Sequence, residues 1–85
     1  MQESASQKSY GPVFAEFDLG LETAKYMVLD GKYKYTFCVH DIAELYNLRE
    51  DPEEIHDLAQ RHEYRKIVET LKRKLFAWHR PAELD

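Results

Sequence analysis

The stretch KYMVLDGKYKYTFCV, residues 25–39, sets two strand-like runs on either side of Asp30-Gly31: Tyr26-Met27-Val28-Leu29 is apolar throughout, and Tyr33-Lys34-Tyr35-Thr36-Phe37 alternates bulky apolar and polar side chains. Period-two alternation is the pattern of a half-buried strand, and an Asp-Gly pair between two such runs predicts a hairpin turn that needs positive φ. With Asp30 and Gly31 as the turn, Leu29 faces Lys32, Val28 faces Tyr33, Met27 faces Lys34 and Tyr26 faces Tyr35. Tyr26, Val28, Tyr33, Tyr35, Phe37 and Val39 then share one face, where aromatic and β-branched cross-strand pairs contribute roughly 0.2–1 kcal/mol each. Lys25, Met27, Leu29, Lys32, Lys34, Thr36 and Cys38 fall on a second, mixed face, which is either solvated or covered by something with apolar content.

Upstream, Tyr10-Gly11-Pro12 punctuates the start of order and Val13–Phe17 reads as a short strand, followed by a loop over 18–22 that contains Gly20. Downstream, Glu44–Leu48 reads as a short fourth strand. Asp51-Pro52-Glu53-Glu54 has the form of a helix start: Asp51 can cap, Pro52 suits the first helical position and Glu54 completes a capping box. That predicts a turn or two of helix with Ile55, Leu58 and Ala59 on one side. The last segment carries Tyr64, Ile67, Val68, Leu71, Leu75 and Trp78 as one apolar stripe at helical period, with Arg61, Arg65, Lys66, Glu69, Lys72 and Arg73 opposite and Pro81 as the stop. The expected fold is α+β, a small antiparallel sheet of about four strands packed by one long C-terminal helix. One ordered domain over residues 10–80 is expected, with a flexible tail over 1–9 and a second tail over 81–85.

Composition narrows the function classes. The chain has 85 residues, enough for one core but not for a core plus a deep enclosed site. Its charge is uneven: residues 1–60 carry twelve Asp/Glu against five Lys/Arg, and residues 61–80 carry seven Lys/Arg against two Asp/Glu. The net charge of −4 and the lack of an aromatic-basic stacking surface argue against a nucleic-acid partner, even with Arg65, Lys66, Lys72, Arg73 and Lys74 on one segment. The single cysteine, Cys38, sits in an apolar strand-like run and reads as a buried, inert thiol. No apolar run approaches a membrane span, and the first residues lack the basic and apolar regions of a signal peptide.

AELYNLREDPEEIHDLA, residues 43–59, packs six carboxylates, a histidine and a proline into one short stretch. As a metal site it is poor. Calcium favours a glycine-containing loop of oxygen ligands, and no glycine follows Gly31; zinc favours clustered His and Cys, and His40, His56, His62 and His79 are scattered. No cofactor is expected. The carboxylates are better explained as a strand edge followed by a capped turn.

ELYNLREDPEEIHDL resembles the E-L-Y-D-L-x-x-D-P-x-E-x-x-N-L signature near the C-terminus of sulfatases of the arylsulfatase and choline-sulfatase type. YMVLDGKYKY is similar to the strand pair that precedes it in that family, GPVFAEF to the strand that opens the same subdomain, and EYRKIVETLKRKLFAWHR to the family's last helix. Leu29 stands where the family usually has arginine, and Asp57 where it usually has asparagine. The resemblance implies the small C-terminal subdomain, with Glu44, Leu45, Tyr46, Leu48, Asp51, Pro52, Glu54 and Leu58 as a structural signature and Asp30-Gly31 as the hairpin turn. Leu45, Tyr46 and Leu48 would anchor the last strand, and Ile55 and Leu58 would lie under the final helix.

The resemblance also implies what this segment lacks. The family's nucleophile lies in a C/S-x-P-x-R motif of the large domain, whereas Cys38 is followed by Val39-His40-Asp41. No catalytic or metal residue is therefore carried over. The expected function is a non-catalytic module that supports a sulfatase catalytic domain absent from this chain. The alternative is a standalone protein of the same fold that dimerises or binds a protein partner through the face left by that domain.

Overall fold

The computed structural model describes residues 11–17, 24–39 and 41–79. The tails at 1–9 and 81–85, the loop at 18–22 and the helix stop at Pro81 lie outside them. Four strands, β1 (Val13–Phe17), β2 (Lys25–Asp30), β3 (Tyr33–Cys38) and β4 (Glu44–Asn47), form one antiparallel sheet in the order β1-β2-β3-β4. A 3-10 turn at His62–Tyr64 leads into helix α1 (Arg65–Trp78). This is the expected α+β arrangement.

The hairpin register differs from the expected one. Asp30 pairs with Tyr33, Leu29 with Lys34, Val28 with Tyr35 and Tyr26 with Phe37, so the loop is Gly31-Lys32 rather than Asp30-Gly31. Gly31 has φ +62° and Lys32 does not share a positive φ, the pattern of a type II′ turn with glycine at its first central position. Asp30 is held at the end of the ladder, where its carboxylate pairs with Lys74 of α1. The slip is two residues, and a two-residue slip leaves every side chain on its own face. The face assignment therefore stands although the pairing does not.

The core lies between the aromatic face of the sheet and the helix stripe. Ala24, Tyr26, Val28, Tyr35, Leu45, Leu58, Leu71 and Leu75 are its buried members. Aromatic pairs tie helix to sheet: Phe14 stacks on Trp78 at 5.0 Å, and Phe37 meets Phe76 edge-on at 5.1 Å. Phe76 was not among the six stripe positions, yet it follows Leu75 directly and lies one turn from Lys72. Tyr35 is fully buried, and burial pushes its phenol up to about 12.

The helix expected at Asp51 does not form; residues 51–61 are turns and irregular backbone. The N–H of Glu54 donates to the Asp51 carbonyl at 3.0 Å, closing a single turn, and Glu54 then takes φ +57°. A left-handed residue stops helical propagation and costs a non-glycine residue about 1–2 kcal/mol. Glu54 does not reach back as a capping box requires. Its carboxylate instead pairs with Lys34, at 3.0 and 3.2 Å from the ammonium nitrogen. Ile55, expected under the helix, is 66% exposed; Leu58 is buried as expected.

Candidate functional site

The signature segment assembles along the outer edge of β4. Leu45 is fully buried opposite Tyr35, which fixes β4 by its side chain. Its backbone N–H and C=O point away from β3, toward what would be a bare sheet edge. Both are satisfied. The N–H donates to the Asp57 carboxylate at 3.0 Å, and the C=O accepts the Leu58 N–H at 2.8 Å. The same Asp57 oxygen accepts the Ala59 N–H at 2.9 Å. The acidic stretch thus returns on itself and clasps the strand it follows.

Two side-chain-centred turns make that return possible. Asn47 is buried, and its amide oxygen accepts the N–H groups of Arg49 at 3.1 Å and Glu50 at 3.2 Å. Its carbonyl accepts the Asp51 N–H at 2.8 Å. Leu48 adds one more rung to the sheet by donating to the Lys32 carbonyl at 2.7 Å. Asp51 then organises the second turn, accepting the N–H of Ile55 at 3.0 Å and of His56 at 2.8 Å. These two bonds favour its charged form and hold its carboxyl below the ordinary value of 3.8. Pro52 follows Asp51 at a position where its fixed φ favours a turn.

Tyr46 lies on the second face and donates its hydroxyl to Glu44 at 3.3 Å. Desolvation, then the Glu44 carboxylate and its neighbours, push the Tyr46 phenol up to about 12. Cys38 is buried on that face, and burial raises its thiol above the usual value. A raised thiol is a poor nucleophile at neutral pH. Among the described residues, no three His, Cys, Asp or Glu side chains are grouped to hold a metal ion. Among them, too, no helix is long and apolar enough to cross a membrane.

Every signature residue lies on this clasp or on the strand it covers, but not always in the expected role. Leu45, Leu48, Asp51 and Leu58 build the edge; Glu54 acts through Lys34 on the second face. Asn47 and Asp57 were missed as structural anchors. The signal for both was their type: Asn and Asp after a strand accept backbone N–H groups two or three residues on. The basic segment is partly engaged internally, with Lys74 paired to Asp30 and the Lys72 ammonium 5.6 Å from the ring centres of Phe37 and Phe76.

No family model matches the chain. Its structural neighbours are sulfatases. A protein assigned as a sulfatase from Bacteroides thetaiotaomicron VPI-5482 superposes with a TM-score of 0.75 at 32% identity, over 85% of this chain and 16% of that one. A 2-O GAG sulfatase superposes with a TM-score of 0.74 at 32% identity, over the same shares. Among curated sequences, an uncharacterised protein of Haemophilus influenzae (strain Rd) is 40% identical over 45 residues, which is 53% of this chain and 23% of that protein. The chain therefore spans about a quarter of that relative's length and about a sixth of the sulfatases'.

Proposed function

We propose that this chain is the non-catalytic C-terminal portion of a sulfatase-like hydrolase, a scaffold that docks against a catalytic domain outside the present sequence. One observation carries the reading: two sulfatases share most of this fold at 32% identity, yet the fold fills only 16% of each. A segment that small leaves the greater part of a sulfatase, with its chemistry, elsewhere. The half-buried second face of the sheet, with Met27, Leu29 and Tyr46, offers apolar area for such docking. Cys38 is buried and lacks the flanking motif of the family's nucleophile, so the chain by itself is expected not to hydrolyse sulfate esters.

The test is the size of the native protein in its source cells, read by immunoblot with antibody raised to this chain. A band several times larger than the 85-residue chain supports the reading. A band at the chain's own size overturns it. So would turnover of an aryl sulfate by the purified chain that is lost on Cys38→Ala. A second reading, a standalone protein that self-associates, is favoured by the state of the β1 edge.

A further inference from the structure

We propose that the outer edge of β1 is a self-pairing edge, at which two copies of the chain join their β1 strands antiparallel about Ala15 and extend the sheet from four strands to eight. The proposal does not rest on the sulfatase reading. β1 is the outermost strand, and among the described residues no backbone group outside β2 bonds to it. An edge of this kind is a template for another strand. The opposite edge of the same sheet is closed by Asp57 and Leu58, so pairing is directed to one side.

The side chains specify both the partner and the register. Val13 and Phe17 lie on one face of β1, four residues apart, and are 53% and 47% exposed. An antiparallel two-fold centred on Ala15 sets Val13 directly opposite Phe17 of the second copy, and Phe17 opposite its Val13. Both apolar pairs form at once, with the small Ala15 side chains meeting on the axis. On the other face, Glu16 meets Phe14 of the second copy, so the two carboxylates do not face each other. Centring the axis on Glu16 would oppose them directly, and like charges so placed are destabilising. Centring it on Phe14 would pair Val13 with Ala15 and Phe17 with Gly11, which forfeits both Val13–Phe17 contacts and leaves one Phe14–Phe14 pair, on the face where Phe14 already stacks on Trp78. The strand is complementary to itself in the Ala15 register, which is the signature of an isologous contact.

The experiment is a charge swap on the axis. Light scattering on the wild-type chain at rising concentration is expected to show the mass doubling from one chain to two. Ala15→Lys and Ala15→Glu, each alone, oppose like charges on the axis and are expected to stay monomeric. An equimolar mixture of the two is expected to regain the doubled mass. A wild-type chain that stays monomeric at the highest soluble concentration overturns the proposal. So does a doubled mass in both single variants, or a mixture that stays monomeric. Should either substitution disturb the fold by circular dichroism, hydrogen exchange on the wild type decides. β1 amides must gain protection as the mass doubles while β4 amides stay unchanged; a doubled mass without that gain overturns the proposal.

Discussion

At the β4 edge, both outward backbone groups of Leu45 are bonded by the segment that follows the strand. At the β1 edge, no backbone bond to the outward side of the strand comes from the described residues, and Val13 and Phe17 stand half in solvent. Among the described residues, one sheet therefore has a guarded end and an open end. Guarding is the work of the acidic stretch, through two of its six carboxylates. Asp51 and Asp57 act as acceptors for backbone N–H groups that a reversing chain would otherwise leave unbonded.

The largest expected difference between the two edges is in side-chain truncation. Leu45→Ala removes a fully buried side chain and is expected to cost about 2–5 kcal/mol. Val13→Ala on the open edge is expected to change stability by no more than about 0.5 kcal/mol. Urea denaturation of both variants checks the contrast, and equal losses would break it.

Next comes the clasp itself. Asp57→Ala leaves the Leu45 N–H without its acceptor and is expected to cost about 1–3 kcal/mol, with faster amide exchange at Leu45. Asp57→Asn keeps an acceptor oxygen and is expected to recover most of the loss. An unchanged Leu45 exchange rate in Asp57→Ala would show that the clasp does not hold the edge.

A smaller effect is expected from pH. The folded-state value of Asp51 lies below its ordinary one, so its stabilising contribution is complete above the ordinary carboxylate range and is lost as pH falls through the folded value. Asp51→Ala should therefore lower the urea midpoint at neutral pH, and its deficit should shrink at about pH 2. A deficit that stays constant across that range would remove the charged carboxylate from the account.

The smallest effect concerns Glu54. Its ion pair with Lys34 has partners 29% and 35% exposed, and such pairs contribute about 0.2–1 kcal/mol. Glu54→Gly loses the pair but relieves the left-handed backbone, so stability near the wild type is expected. Glu54→Ala keeps the backbone cost and should fall below Glu54→Gly by about 1 kcal/mol. Equal thermal midpoints for the two variants would show that no strain resides at this turn.

The regular elements were legible because their periods are unambiguous. Tyr33–Phe37 and the stripe from Ile67 to Leu75 each repeat at a period that only one secondary structure satisfies, while Val13–Phe17 and Lys25–Leu29 were marked by the Gly11-Pro12 and Asp30-Gly31 punctuation beside them. The hairpin register was not, because Asp30-Gly31 and Gly31-Lys32 are both acceptable loops, and the local sequence does not show that Asp30 meets Lys74 of a helix far along the chain. The capping-box pattern at Asp51–Glu54 failed for a similar reason. Locally it favours a helix, but the tertiary demand of an open β4 edge draws Asp57 and Leu58 back to the strand. The residues of the clasp were thus readable as a group, while their individual roles depended on partners distant in sequence.

The stack of Trp78 on Phe14 gives the molecule an optical reporter in a convenient place. Trp78 is the only tryptophan, so light at the red edge of tyrosine absorption excites it without the six tyrosines. Its emission then reads the joint between the last turn of the helix and the open edge strand, rather than the fold as a whole. Loosening that joint bares an indole already 45% exposed and shifts its emission to the red, while the guarded end of the sheet stays spectroscopically silent. A single intrinsic fluorophore can therefore follow events at one margin of the sheet without any label.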